Sequence, residues 1–567
     1  MLATLLIRST VCYSLATSSL SPAHELFIPR KLLLHGVGNN IWCLKHSPRI
    51  AHRLSSKNSP DEDGDDDDDD VFERHYARFL KFRSSPRNAP HITKIFLLSD
   101  LHCDYASNRE WLRHICSREA EVDGAVNIDF EKTMILVAGD VSHDLNILRW
   151  TFQLLKKSFG EVAFVPGNHE LWLDKKRIIS NDDALMKSHF TGNDEMDDEI
   201  FFSNGQGDGC NNSIEKLEKI LQICADEDVR IGPVKVGWHG TRSNSTQTHL
   251  MDDIAATNSG VWVIPLFSFH HTSFDTEPHI DPTAWKGIPS ARRVVADYRR
   301  TKWPKPLSPL DDSVAKFFDG LNDVILNLDN LFPDDDSGWA GTTTCPVLTF
   351  SHFLPRIELM PEKRYLSIPT LHSCVGSTFL ETRLRNAGRL LGINDYGSYG
   401  SEVSLHENLD GGKGVDHLHA FGHSHLSWDA IIEGVRYIHV PLAYPKEWEQ
   451  RRRSLEIGSM KGAEREKRFP VCIWSNNSDP RDNSFTHCGN GFPKAWLGGW
   501  WSKYYSIMDR QPHRNNELAP WVARRFRKLP KGVVSDFDHA KVEIEHKLHH
   551  PSHWAASGQW YDRNKSK

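Results

Sequence analysis

Apolar runs and polar stretches alternate along this chain in an order that outlines its elements. Ile92–Leu98 reads as a buried strand, and Thr133–Ala138 and Glu161–Val165 are two more of the same kind. An amphipathic stretch follows each of the first two. Ser107 and Glu110 form a capping-box pair that predicts a helix through about Arg118, and Leu145–Phe159 predicts a second. The order β-α-β-α-β predicts parallel strands under crossover helices. Farther along, a helix is expected from Ile214 to about Cys224 and another near Ser313–Leu328. Strands are expected at Val261–Ser268, Val347–Phe350 and Leu418–Phe421, and a hairpin at Trp428–Ile432 and Val435–Val440 around Glu433–Gly434. No internal repeat is visible.

Composition refines this picture. The chain has 567 residues, 39% of them hydrophobic, and a mean hydropathy of −0.50, which suits a globular body with irregular insertions. No run approaches the roughly 18 apolar residues that suggest a membrane span. The net charge of −7 is set by residues 61–70, DEDGDDDDDD; without their nine acids the balance is +2. Arg451, Arg452 and Arg453 and the ARRFRK stretch at Arg524 are local basic patches, read as solvated surface, so nucleic acid is not the expected partner. Ten scattered cysteines with no CxxC pair suggest reduced thiols and an intracellular setting. Cys103 lies between residues of metal-binding type and reads as a packing residue.

Residues 1–60 hold seven Lys and Arg against a single acid, Glu25. They are expected to be disordered, either as a mitochondrial or plastid transit peptide or as a tail without an address on a cytoplasmic protein. Residues 61–88 are read as an acidic linker. Residues 89–450 form the expected catalytic domain, with an insertion at about 180–260, and the Trp-rich residues 451–567 an extension packing on it.

The chemistry is concentrated in five motifs. They are LSDLH (Asp100, His102), AGDVSH (Asp140, His143), PGNHE (Asn168, His169), FSHF (His352) and FGHSH (His423, His425). The first three follow predicted strands at their C-terminal ends, where open α/β sheets place their sites. Gly139, Gly167 and Gly422 allow tight turns there. Each motif supplies oxygen or nitrogen donors suited to divalent metals of the Mn, Fe or Zn type, and together they suffice for two ions. Such a pair activates water and clamps both oxygens of an in-line displacement at phosphorus, and a carboxylate between the ions offsets their repulsion.

Taken together, DxH, GD, GNHE, a lone His and GHxH resemble the calcineurin-like metallophosphoesterase superfamily, over about residues 92–445. The resemblance implies an α/β fold of two packed mixed β-sheets flanked by helices, a four-layer αββα sandwich with the site at the sheet edge. It implies that Asp100, His102 and His425 hold one metal, that Asn168, His352 and His423 hold the other, and that Asp140 bridges them. It implies His169 as the catalytic histidine and attack by a metal-bound hydroxide on a phosphomonoester or phosphodiester. A nucleotide or small metabolite is the expected substrate; the alternative is a metal-binding scaffold that has lost catalysis. The sequence departs from the Ser/Thr protein phosphatases, whose GDxxDRG is GDVSHD here. It also departs from the purple acid phosphatases, whose tyrosine is His143 here, so no tyrosinate–iron bond is expected.

Outside the motifs, His270 and His271 are candidate substrate or metal contacts, or else loop histidines. Arg356 is a candidate phosphate clamp or a surface ion-pair partner. His143 is a ligand or orients one. His417 and His419 alternate along a predicted strand and are read as structural.

Overall fold

The computed structural model describes residues 68–117, 129–173, 208–237, 260–285, 287–326, 345–393, 415–445, 470–476, 491–493, 499–505 and 508–526, with the single residues 328, 396 and 447. The expected transit segment, most of the acidic run and the outer parts of the insertion lie outside the described residues.

Eleven strands are present among the described residues: β1 (Arg87–Ala89), β2 (Lys94–Leu98), β3 (Thr133–Ala138), β4 (Glu161–Val165), β5 (Val234–Val236), β6 (Val261–Pro265), β7 (Val347–Phe350), β8 (His417–Ala420), β9 (Trp428–Ile432), β10 (Val435–His439) and β11 (Val471–Ser475). They form a seven-stranded sheet ordered β1-β5-β6-β7-β8-β10-β9 and a four-stranded sheet ordered β11-β2-β3-β4. Both sheets are mixed. β2, β3 and β4 run parallel and β11 antiparallel; β6, β7, β8 and β10 run parallel while β5/β6 and β9/β10 are antiparallel.

The two sheets pack face to face. Ile95, Leu97, Met134, Leu136 and Ala163 of one and Val263, Leu348, Leu418 and Ile438 of the other form a single apolar cluster. The alternate residues Phe96, Ile135, Val162 and Phe164 join the cluster that buries helices Ala106–Cys116 and Leu145–Ser158. Strands buried on both faces read as near-continuous apolar runs, which is why β2, β3 and β4 were legible.

Four sequence expectations change. The helix after LSDLH begins at Ala106 behind Tyr105, with no side-chain cap, so Ser107 lies inside it and no capping box forms. The stretch read as linker is helical over Asp68–Ala77, and Tyr76, Phe79 and Phe82 are buried. Tyr76 stacks on Phe317 at 5.1 Å, so apolar burial outweighs the acidic run beside it. Within 180–260, helix Ser213–Asp226 packs into the main core and β5 sits between β1 and β6, so the domain's own fabric runs through the expected insertion. Likewise β11, in the expected extension, is an edge strand of the four-stranded sheet, with a register shift between Cys472 and Trp474.

No described helix is long and apolar enough to cross a membrane. The seven described cysteines are all free, and burial pushes the Cys103 thiol up to about 12, as suits a packing residue.

Candidate metal centre

Each motif follows the C-terminal end of a parallel strand: β2, β3 and β4 in one sheet, β7 and β8 in the other. The turns are tight enough to force side chains into unusual backbone geometry. Asp100 (φ 53°), His102 (42°), Asp140 (54°), His423 (74°) and His425 (55°) all lie in the left-handed region. That conformation costs about 1–2 kcal/mol for a residue with a Cβ. Five such residues on three neighbouring turns mark a place where the direction of a side chain outweighs backbone comfort.

Neighbouring backbone holds the turns. Asp100 N–H donates to the Gly139 carbonyl at 3.1 Å, and His102 N–H donates to the Asp140 carbonyl at 2.8 Å. Glu170 ties two motifs together. Its Oε2 accepts from the amides of Asp140 (3.0 Å) and Gly167 (2.7 Å), and its Oε1 accepts from Val141 and Ser142. A Cβ on Gly167 would stand 2.2 Å from Asp140 Oδ1, so only glycine lets that carboxylate occupy its position.

The donors collect in two clusters that share Asp140. One holds Asp100, His102, Asp140 and His425; the other holds Asp140, His352 and His423. In the first, His102 Nε2 faces His425 Nε2 at 2.9 Å, and His425 Nε2 lies 3.5 Å from Asp100 Oδ1. In the second, His352 Nε2, His423 Nδ1 and Asn168 Oδ1 stand 3.0–3.2 Å from one another, with Asp140 Oδ1 3.4 Å from His352. Adjacent corners of a coordination octahedron with arms of about 2.1 Å are about 3 Å apart.

The partners behind these atoms show what they want. His352 Nδ1–H donates to the Ala138 carbonyl, His423 Nε2–H donates to the Cys374 carbonyl, and Asn168 Nδ2 donates to Asp297. With those protons placed, His423 Nδ1 and Asn168 Oδ1 turn lone pairs toward His352 Nε2, so what sits between them must be positive, either a proton on His352 or a cation. His425 Nδ1–H donates to Glu447 at 2.6 Å, which leaves its Nε2 likewise an acceptor. A second set of hydrogen bonds that fixes the tautomer of each ligand is how metal sites are held. The donor set fits a pair of divalent cations.

Electrostatics agree. Burial disfavours the charge on Asp100, yet its bonds to His439 and proximity to His425 hold it below the ordinary carboxylate range, and histidines do the same for Asp140. Burial lowers His102 to about 4 and His423 to about 3, leaving both neutral. At His352 burial is outweighed by the Asp140 carboxylate, which holds the imidazole up to about 9. Positive charge is favoured there, and a cation would take the proton's place.

Of the other residues singled out from sequence, His169 sits at the clusters. Its Nε2 is 3.7 Å from Asp140 Oδ2 and 3.2 Å from the Tyr444 hydroxyl, and burial holds its imidazole well below the ordinary value. His143 pairs with Asp104 at 2.9 Å, and Asp104 in turn lies beside His102 and His169. His270 points to Asp297 (3.1 Å). His271 bonds Ser273 and lies 3.2 Å from Asp312, and neither cluster includes it. Arg356 forms ion pairs with Glu358, Glu381 and Glu433.

Sequence reading missed several neighbours. His439 donates to Asp100 Oδ2 at 3.0 Å; Glu170, Asp297 and Glu447 hydrogen-bond Gly167, Asn168 and His425 of the motifs; Trp172 lies against His169 with ring centroids 3.5 Å apart. Tyr444 covers His102 at 4.2 Å. Only Glu170, the last letter of GNHE, sat inside a motif.

A family model described as calcineurin-like phosphoesterase matches residues 93–258. Over 78 residues the chain is 31% identical to an acyl-carrier-protein phosphodiesterase, PptH, of Mycobacterium tuberculosis, a stretch covering 14% of this chain and 21% of that protein. The match therefore spans about a fifth of that relative's length. The crystal structure of phosphopantetheinyl hydrolase PptH from Mycobacterium tuberculosis aligns over 64% of this chain and 94% of its own, with a TM-score of 0.35 and 16% identity.

Proposed function

We propose that this chain, a member of the calcineurin-like phosphoesterases, hydrolyses a phosphate ester on a pair of divalent cations held by its five motifs. The observation that supports this most is that the two donor clusters share Asp140. Asp100, His102 and His425 would hold one cation, Asn168, His352 and His423 the other, and Asp140 both. When bound, such a pair supplies activation of water and neutralisation of phosphate charge.

The chain's own residues do the rest. His439 and Glu447 keep Asp100 and His425 aimed inward. Tyr444 and Trp172 cover the histidines and limit water around them. His169 presents Nε2 beside Asp140, the place from which it would hand a proton to the departing alkoxide. The likeness to an acyl-carrier-protein phosphodiesterase makes diesters of small phosphorylated groups the first class to try.

The test is turnover of monoester and diester p-nitrophenyl substrates by the full chain with Mn²⁺, Zn²⁺ or Fe²⁺. The expected result is metal-dependent hydrolysis that falls by at least about 100-fold in His169→Ala, within the range general acids contribute. His169→Ala should keep its bound metal. Metal bound without turnover on any ester would favour the scaffold reading instead.

A further inference from the structure

Asp297 lies outside all five motifs, in the short helical turn Asp297–Arg300, and is 1% exposed. It has no solvent to satisfy its oxygens. Its Oδ1 accepts from Asn168 Nδ2 at 2.8 Å and from Trp172 Nε1 at 2.7 Å, and its Oδ2 accepts from His270 Nε2 at 3.1 Å. Three side chains from two other segments thus converge on one buried carboxylate.

Two of those three touch the chemistry. A free asparagine amide has two orientations of almost equal shape, and only one presents oxygen to a cation. Asp297 can only accept, so it selects the orientation with Nδ2 toward itself and Oδ1 toward His352 and His423. Trp172, held by the same oxygen, is the ring packed against His169. His270, a candidate contact by sequence, is the third arm of this anchor.

We infer that Asp297 is a positioning residue that fixes Asn168 as an oxygen ligand of the second cation and Trp172 as the wall behind His169. This rests on the reading that Asn168, His352 and His423 bind that cation. Removing an outer partner of a metal ligand costs about 10–100-fold in metal affinity, whereas a carboxylate serving only to fill the core would move stability and leave affinity alone.

The experiment titrates Mn²⁺ into metal-stripped full-length protein by calorimetry, with wild type, Asp297→Ala, Asp297→Ser, Asp297→Asn, Asn168→Ala and the Asp297→Ser/Asn168→Ala double variant. Asp297→Ser covers the event that Asp297→Ala does not fold. The expected result is that Asp297→Ala and Asp297→Ser bind the second Mn²⁺ about 10–100-fold more weakly, while Asp297→Asn, whose amide oxygen can still accept both bonds, stays within a few-fold of wild type. The double variant should bind no more weakly than Asn168→Ala, because the effect passes through Asn168. Wild-type affinity in Asp297→Ser, or fully additive losses in the double variant, would overturn the inference. If Asn168→Ala itself keeps wild-type affinity, the ligand assignment fails instead, and the inference falls with it.

Discussion

At the scale of single residues, the site is a set of side chains held in directions their backbones would not choose. Asp140 is the extreme case, with φ 54° and a carboxylate lodged where Gly167 leaves room. We predict that Gly167→Ala, a change of one methyl group, displaces that carboxylate and lowers turnover by about 100-fold, as a misplacement near 1 Å can. Circular dichroism should show the fold intact, and metal analysis should show loss of bound ion; full activity would count against the role given to Asp140. The motif donors were legible because metal chemistry limits which residues serve, and their order along the chain is specific. Asp297, Glu447, His439 and Trp172 were not. Their partners lie 129, 22, 339 and 3 residues away, and nothing in a lone acid, histidine or tryptophan announces which side chain it will orient.

At the scale of elements, one hydrogen-bonded chain crosses the seven-stranded sheet below the site. Ser351 donates to the Phe353 carbonyl, so it must accept from His419 Nε2–H. His419 Nδ1 then accepts from Thr349, which accepts from His417 Nε2–H, and His417 Nδ1 accepts from Tyr396. Each step fixes the next, and both imidazoles must be neutral. Burial lowers His417 to about 3 and holds His419 well below its ordinary value. In the unfolded chain both take up protons near 6.5. Their contribution to stability is therefore complete above pH 6.5 and drains as pH falls toward 3. Each costs about 1.4 kcal/mol per pH unit within that window. Urea unfolding in the presence of chelator should show that slope shrink by about this amount in His417→Gln between pH 6 and 4. An unchanged slope would mean the chain is not built this way. Reading these histidines as structural followed from their alternation along a strand; the direction of the bonds needed the register of β7 against β8, Thr349 opposite His419.

At the scale of the whole molecule, residues far apart in sequence close the two-sheet sandwich. The parallel β2-β3-β4 unit was legible because each strand is a short apolar run followed by its helix. β1, β5 and β11 were not, being three to five residues long and set among polar neighbours. β11 supplies the edge partner of β2, the strand that leads directly to Asp100, and Trp474 is 1% exposed in the core between the sheets. The buried Arg436–Asp429 pair of the β9–β10 hairpin also donates to the Pro493 carbonyl. A chain truncated before Val471 should therefore lose its solubility or its cooperative melt, because it bares the edge of β2 and leaves Arg436 short of an acceptor. A dispensable extension would instead leave the melting temperature unchanged.

We propose that loops from two sheets grip two cations around Asp140. Elemental analysis of the full-length protein purified after Mn²⁺ loading, alongside Asp140→Ala, tests this. About two ions per chain are expected in the wild type and at most a trace in the variant. No bound ion in the wild type, or two ions retained without the Asp140 carboxylate, would contradict it.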